Sequence, residues 1–331
     1  MSEEPLLSVR NLSLGVRRKG GPTTVIVDDI SFDVAEGQRF GIVGESGSGK
    51  SMTLRAIANL LPGGVKVLSG TIKYRGDDLG TMPAKSRRRL AGPEIAMIFQ
   101  EPMTALNPVM RVGEQIAESP RRHLGLSRAA AMDLAIDMMR KTGIPDPARR
   151  ARAYPHELSG GLRQRIMIAM ALSCSPKLLL CDEPTTALDV TVQHQVLRLL
   201  EQLCEDSGTA LVFVTHDLGV VNQTCRDLAV MYAGEIVERG QVKNVFSGPR
   251  HPYTKGLLDS APDFDKPDRK LAAIPGFPPN LADRGDGCPF QPRCPFAVEQ
   301  CATSRPRLEQ VLPGREAACF ETARIFEGAT A

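Results

Sequence analysis

The sequence contains no run of about 18 apolar residues, the length needed to cross a bilayer. Its first ten residues, Met1 to Arg10, carry Glu3 and Glu4 and lack the long apolar core of a secretory signal. Strong charge of one sign is also missing: 41 Lys and Arg stand against 38 Asp and Glu, a formal net charge of +3. That balance argues against a broad basic surface for nucleic acid. No internal repeat is visible. A chain of this kind serves a membrane only by binding other subunits that cross it.

What is present is ordinary for a globular protein. The 331 residues are 42% hydrophobic and 24% charged, enough for one large domain or two modest ones with a real core. The basic run Lys85 to Arg89 reads as a solvated helix face. Of the eight cysteines, Cys174, Cys181, Cys204 and Cys225 are scattered among apolar or helical segments and read as small buried hydrophobes. The other four crowd into a Pro-rich tail.

Patterning along the chain predicts strands at Leu7–Leu14, Ile30–Val34, Arg39–Val43, Thr71–Tyr74 and Ile95–Phe99, with a helix over Lys50–Leu61 halted by Pro62-Gly63-Gly64. From about Met110 to Ser173 the spacing is helical, including Arg128–Thr142 and Gly160–Leu172. Strands return at Lys177–Cys181, Ala210–Thr215 and Leu228–Tyr232, separated by helices over Val190–Leu203 and Asp217–Thr224. Such alternation implies a mainly parallel sheet covered by helices, with the helical stretch inserted into it. Beyond about residue 250 the periodicity fades into a small, irregular C-terminal region.

Gly44-Glu45-Ser46-Gly47-Ser48-Gly49-Lys50-Ser51 fits G-x-x-x-x-G-K-[ST] between a strand and a helix. Glycines let the backbone curl so that successive N–H groups face phosphate oxygens, and the helix adds its positive end. Lys50 supplies a full charge, Ser51 a hydroxyl for Mg²⁺, and Met52 continues the cradle into the helix. The apolar run Leu178–Cys181 delivers Asp182 and Glu183 to the carboxyl end of a strand, where the first can hold Mg²⁺ and the second can orient and deprotonate water. Leu211–Thr215 likewise delivers His216, placed to sense the γ-phosphate. Ser159, Gly160 and Gly161 open a helix with a hydroxyl and free N–H groups. One triphosphate is not easily served by two cradles from one sheet, so this turn is expected to cover the nucleotide of a second copy in a head-to-tail dimer.

The order GESGSGKS, Gln100 in MIFQEPMTALNP, LSGGLRQ, LLLCDEP, Ala187-Leu188-Asp189 and Val214-Thr215-His216 resembles an ABC transporter nucleotide-binding subunit over about residues 5–245. The resemblance implies a P-loop NTPase α/β core with an antiparallel β subdomain and an inserted α-helical subdomain at about 103–173. It also implies an ATPase domain over 5–250 and an extension over 251–331. It makes Gln100 a ligand of metal and water beside the membrane-subunit contact, and Asp189 a residue of the dimer seam. Tyr154-Pro155-His156-Glu157, His251-Pro252-Tyr253-Thr254, IPGFPPNL and GCPFQPRCP narrow the resemblance to the dipeptide/oligopeptide importer subfamily. One departure stands out: where the family places an adenine-stacking aromatic, this sequence has Leu14-Gly15-Val16-Arg17-Arg18.

Cys288, Cys294, Cys301 and Cys319 are spaced C-x5-C-x6-C-x17-C. Clustered soft thiolates suit Zn²⁺ or an iron–sulfur cluster, and the gaps exceed those of zinc knuckles. The importer resemblance implies a structural [4Fe-4S] cluster there, ahead of zinc or no metal. Expected partners are a second ABC ATPase subunit, more often non-identical, two transmembrane permeases and, indirectly, an extracytoplasmic solute-binding protein. The expected place is peripheral, at the cytoplasmic face of the inner membrane, with ATP and Mg²⁺ as ligands. The alternative is a soluble ABC ATPase acting on nucleic acid or ribosomes. It is disfavoured by the single cassette and the lack of a coiled-coil insertion; a small-molecule kinase would not need LSGG.

Overall fold

The computed structural model of the protein describes residues 4–17, 23–101, 105–185, 189–261 and 272–327. The first third forms β1 (Leu7–Arg17), β2 (Thr23–Val34), β3 (Arg39–Val43), α1 (Lys50–Ile57), β4 (Val65–Tyr74) and the short β5 (Asp77–Asp78). Then come α2 (Ala84–Leu90), β6 (Ile95–Ile98), α3 (Val112–His123), α4 (Arg128–Lys141), α5 (Pro147–Arg150) and α6 (Gly160–Leu172). Alternation resumes with β7 (Leu178–Asp182), α7 (Val190–Ser207), β8 (Ala210–Thr215), α8 (Leu218–Thr224), β9 (Asp227–Tyr232) and β10 (Glu235–Gln241). The tail holds α9 (Val242–Ser247), α10 (Pro252–Ser260), α11 (Glu299–Thr303), β11 (Glu309–Leu312), β12 (Arg315–Ala317) and α12 (Thr322–Glu327).

The chain divides into two compact units. The first comprises Asp77–Val212 with the short pieces Met1–Leu6 and Val34–Gln38; the second comprises Leu7–Asp33, Arg39–Gly76 and Phe213–Ala331. Strand β8 carries the chain from the first into the second.

In the first unit β6 and β7 pair in parallel, Ile95 opposite Leu178 through Ile98 opposite Cys181. Every residue of β7 is buried, as its unbroken apolar run predicts. Helices α3, α4 and α6 pack together through Ile116, Ala131, Ala135, Met139, Ile166 and Ala169, all fully excluded from solvent. Small residues on α4 let the axes approach, and each larger side chain buried contributes about 1.5–3 kcal/mol. Ser127 caps α4 by accepting from Ala130 N at 3.2 Å. Helix α2, with its run of basic side chains, buries none of its residues, as expected of a solvated face.

In the second unit β2, β1 and β4 form a sheet in that order, with β1 and β4 antiparallel. Another set runs β11-β12-β10-β9-β3, where β3 and β9 are parallel and the remaining pairs antiparallel. The C-terminal extension thus adds two strands to the edge of β10, a contribution its faded periodicity did not announce. Phe32 stacks on Phe40 at 5.2 Å between ring centroids. Tyr232 of β9 meets Tyr253 of α10 at 4.5 Å and Phe290 at 5.2 Å, so aromatic packing joins the extension to the strand beneath it.

Helix α1 stops at Ile57, before the expected Pro-Gly-Gly, because Asn59 turns left-handed at φ 57° and Leu60 N donates back to Arg55 O at 2.7 Å. Cys174, Cys181, Cys204 and Cys225 are buried, matching their reading as core residues.

Candidate functional site

The second unit holds the phosphate loop. Strand β3 ends in buried Val43, and the backbone then turns at Gly44 with φ 154°. A Cβ on Gly44 would stand 2.1 Å from the Met231 carbonyl oxygen, so no side chain fits. Gly49, φ 100°, caps α1 without a side-chain hydrogen bond, and α1 has no acidic residue in its first turn. Its positive end is therefore left open toward the loop. Lys50 is 4% exposed, and its Nζ donates to Gly44 O at 2.7 Å, Glu45 O at 2.9 Å and Ser48 Oγ at 3.4 Å. A desolvated ammonium spanning a curled backbone is what a triphosphate requires. Ser51 and Met52 follow in α1. His216 lies just past β8 and is exposed, while its neighbour Asp217 caps α8 by accepting from Gly219 N at 2.8 Å.

The first unit holds the acidic group. Asp182 ends β7 and is 1% exposed. Glu183 follows with φ 45°, a left-handed conformation that is costly for a residue with a side chain and is held by its surroundings. Gln100 Nε2 donates to Glu183 Oε2 at 3.1 Å. The parallel register explains the meeting, since Ile98 stands opposite Cys181 and both residues lie two positions further on. Ser159 caps α6, accepting from Leu162 N at 3.4 Å, with Gly160 exposed beside it. A Cβ on Gly161 would come within 3.2 Å of Val192 Cγ1, so the turn packs close to α7. Asp189 caps α7, accepting from Val192 N at 2.9 Å. Ala187 and Leu188 lie outside the described residues, as do Pro102, Met103 and Thr104 in the stretch that follows Gln100.

The expected site residues therefore gather within their own units. Gly44 to Met52 and His216 belong to the second; Gln100, Asp182, Glu183, Ser159, Gly160, Gly161 and Asp189 belong to the first.

Sequence reasoning missed two residues at the loop. Glu45 Oε2 and Oε1 accept from Arg293 Nη1 and Nη2 at 2.7 and 3.0 Å, and Glu45 N donates to Tyr253 Oη at 2.7 Å. The hydrogen bonds it donates to Glu45 hold the Arg293 guanidinium well above its ordinary range, and burial pushes the Tyr253 phenol up, so both keep their protons. A signal was available. A carboxylate inside an anion-binding loop is electrostatically out of place unless a cation neutralises it.

The profile described as ABC transporter matches residues 27–186, and that described as Oligopeptide/dipeptide transporter, C-terminal region, matches residues 237–301. The chain is 46% identical over 314 residues to the dipeptide transport ATP-binding protein DppD of Escherichia coli (strain K12), covering 95% of this chain and 96% of the relative. It is 47% identical over 316 residues to the oligopeptide transport ATP-binding protein OppD of Salmonella typhimurium, covering 96% and 93%. Among solved structures it is similar to the dimeric ATP-binding cassette MJ0796 in a post-hydrolysis state bound to ADP and Pi. The TM-score is 0.64 and the identity 25%, over 71% of this chain and 98% of that one. Similarity to cbiO1 of Clostridium perfringens has a TM-score of 0.62 at 25% identity, over 74% and 92%.

The expectation of an iron–sulfur cluster is corrected. Cys288, Cys294, Cys301 and Cys319 do line one pocket, but with Phe290, Phe296 and Phe320, and it encloses only about 10 Å³. That is room for one water at most. Burial pushes the Cys288 thiol up to about 11 and Cys319 to about 12, and also raises Cys294. Among the described residues no group of three or more His, Cys, Asp or Glu is arranged to hold a metal ion. The relatives are described as transport ATP-binding proteins, not as iron–sulfur proteins.

Proposed function

The chain belongs to the ABC transporter family of ATP-binding subunits, and we propose that it hydrolyses ATP to energise uptake of di- or oligopeptides through partner permeases. The observation that carries this reading is the buried Lys50 ammonium spanning the loop carbonyls of Gly44 and Glu45 at the open end of α1. The peptide cargo is supported by near full-length relatives described as dipeptide and oligopeptide transport proteins, and by the C-terminal profile match. The same relatives set aside the alternative of a cassette protein acting on nucleic acid or ribosomes.

In this reading the loop Gly44 to Ser51, with Met52 behind it, binds the triphosphate, and Lys50 neutralises its outer oxygens. Ser51, Gln100 and Asp182 would hold Mg²⁺, which when bound supplies charge neutralisation at the phosphates. Hard oxygen donors on a buried carboxylate, a hydroxyl and an amide fit that ion. Glu183, fixed by the Gln100 amide, accepts the proton of the attacking water. His216 responds to the γ-phosphate. Ser159, Gly160 and Gly161 serve the nucleotide of a second ATPase subunit, with Asp189 at the seam, and that partner is a related, non-identical chain.

No helix among the described residues is long and apolar enough to cross a membrane. In this reading the subunit is peripheral, bound to its permeases at the cytoplasmic face of the inner membrane, as its similarity to transport ATP-binding proteins supports. Two permeases complete the assembly, and a solute-binding protein delivers the cargo. Uptake of a labelled dipeptide into vesicles holding this chain and its permeases tests the proposal. Uptake that requires internal MgATP is expected; vesicles that take up peptide equally without this chain would overturn it.

A further inference from the structure

Glu45 is tied to its surroundings at every polar group. Its N–H goes to Tyr253 Oη, its carboxylate to both Nη atoms of Arg293, and its carbonyl accepts from Lys50 Nζ. Arg293 is held as firmly on the far side. Nε donates to Pro275 O at 2.8 Å, Nη1 also reaches Tyr232 Oη at 3.3 Å, and the guanidinium lies within 5.9 Å of the Tyr232 and Phe290 ring centroids. The side chain of Arg293 is 5% exposed and that of Glu45 26% exposed, so solvent and salt screen this pair little. A bidentate arginine–carboxylate pair fixes orientation as well as distance.

The geometry points to Arg293, with Tyr253 beside it, as a positioning residue that braces the phosphate loop from the C-terminal extension through Glu45. This rests on the reading of Gly44 to Ser51 as the nucleotide cradle. A loop held in its binding shape before the ligand arrives loses less freedom on binding. The carbonyl of the braced residue is also a Lys50 partner, so a slackened loop misplaces the ammonium with it. Arg293 acts on nucleotide affinity, through the loop. The subfamily's tail thereby becomes part of the loop's scaffold.

The test uses the purified full-length chain, MgATP titrated by calorimetry, and hydrolysis by the assembled transporter. Arg293→Ala is expected to weaken MgATP binding and raise KM about tenfold, with kcat changed less than about twofold. Arg293→Lys keeps a charge without the two-pronged fork, and is expected to recover only part of the affinity lost in Arg293→Ala. Glu45→Gln removes the partner charge, weakens binding as Arg293→Ala does, and decides the matter if Arg293→Ala fails to fold. The double variant is expected to be no weaker than either single one. Singles that bind within about twofold of the unsubstituted chain, or effects that add in the double variant, overturn the brace. Lys50→Ala is run alongside: lost binding there upholds the cradle independently, whereas unchanged binding overturns the cradle and the brace with it.

Discussion

Gln100 and Glu183 are joined by a 3.1 Å hydrogen bond, the amide of one held against the carboxylate of the other beyond the paired ends of β6 and β7. The contact orients the carboxylate. Replacing Glu183 by Gln keeps the shape and removes the base. Phosphate release is expected to fall at least about 100-fold while MgATP affinity stays within about threefold. Normal hydrolysis in Glu183→Gln would strip Glu183 of its assignment.

Lys50→Ala removes the ammonium that spans the curled loop backbone at Gly44 and Glu45. MgATP affinity is expected to drop at least about 30-fold, consistent with loss of charge-assisted hydrogen bonds to phosphate. Equilibrium titration of the nucleotide checks it.

Gly44 and Gly47 both have positive φ, yet they answer differently to an added methyl group. At Gly44 the Cβ would strike the Met231 carbonyl at 2.1 Å; at Gly47 nothing lies within 4 Å. Gly44→Ala is expected to cost at least about 3 kcal/mol and to abolish nucleotide binding, whereas Gly47→Ala costs about 1 kcal/mol from backbone conformation alone. Denaturant melts of the two variants make the comparison, and equal costs would refute it.

Adenine recognition gives an expectation about specificity. The stretch Leu14-Gly15-Val16-Arg17 carries no ring to stack on the base, so discrimination rests on aliphatic or guanidinium contact. The assembled transporter is expected to hydrolyse ATP and GTP with kcat/KM values within about fivefold. A strong preference for ATP in a competition assay would contradict this.

His251 is 2% exposed, and burial pushes its imidazole down to about 3. The folded state therefore stays neutral at a pH where the unfolded chain takes up a proton. Stability carried by this group is complete above about pH 6.5 and is lost as the pH falls toward 3, at most about 1.4 kcal/mol per pH unit. His251 Nδ1 accepts from Tyr253 N at 3.1 Å, and an Asn side chain can supply the same acceptor. The difference in stability between the unsubstituted chain and His251→Asn is expected to shrink by about 2 kcal/mol between pH 7 and pH 5. Melting curves at the two pH values measure it; a constant difference would refute the assignment.

Much of this architecture was legible because its signals are local. β3 and β8 have the bounds expected from short apolar runs closed by Gly44 or His216, and Arg128–Lys141 follows its helical spacing nearly to the residue. The phosphate loop and the acidic pair were legible because they are contiguous. The remainder depends on partners distant in sequence. Arg293 and Glu45 are 248 positions apart, and no periodicity connects them. β12 is three residues long, too short to register as a pattern, and exists because Ala317 pairs with Glu238. The four tail cysteines were misread because spacing records which thiols are near one another in the chain but not what surrounds them. Phe290, Phe296 and Phe320 make that surrounding apolar.

The two short strands at the end of the chain have a practical meaning for anyone shortening this protein. β12 covers the outer rim of β10, whose side chains are largely buried, and β11, with mostly exposed residues, takes the outermost place. A chain cut before Glu309 would leave the backbone groups of β10 bare, an open template for pairing between molecules. Truncated forms are then prone to clump, and their insolubility would report a lost hem on the sheet and nothing about ATP.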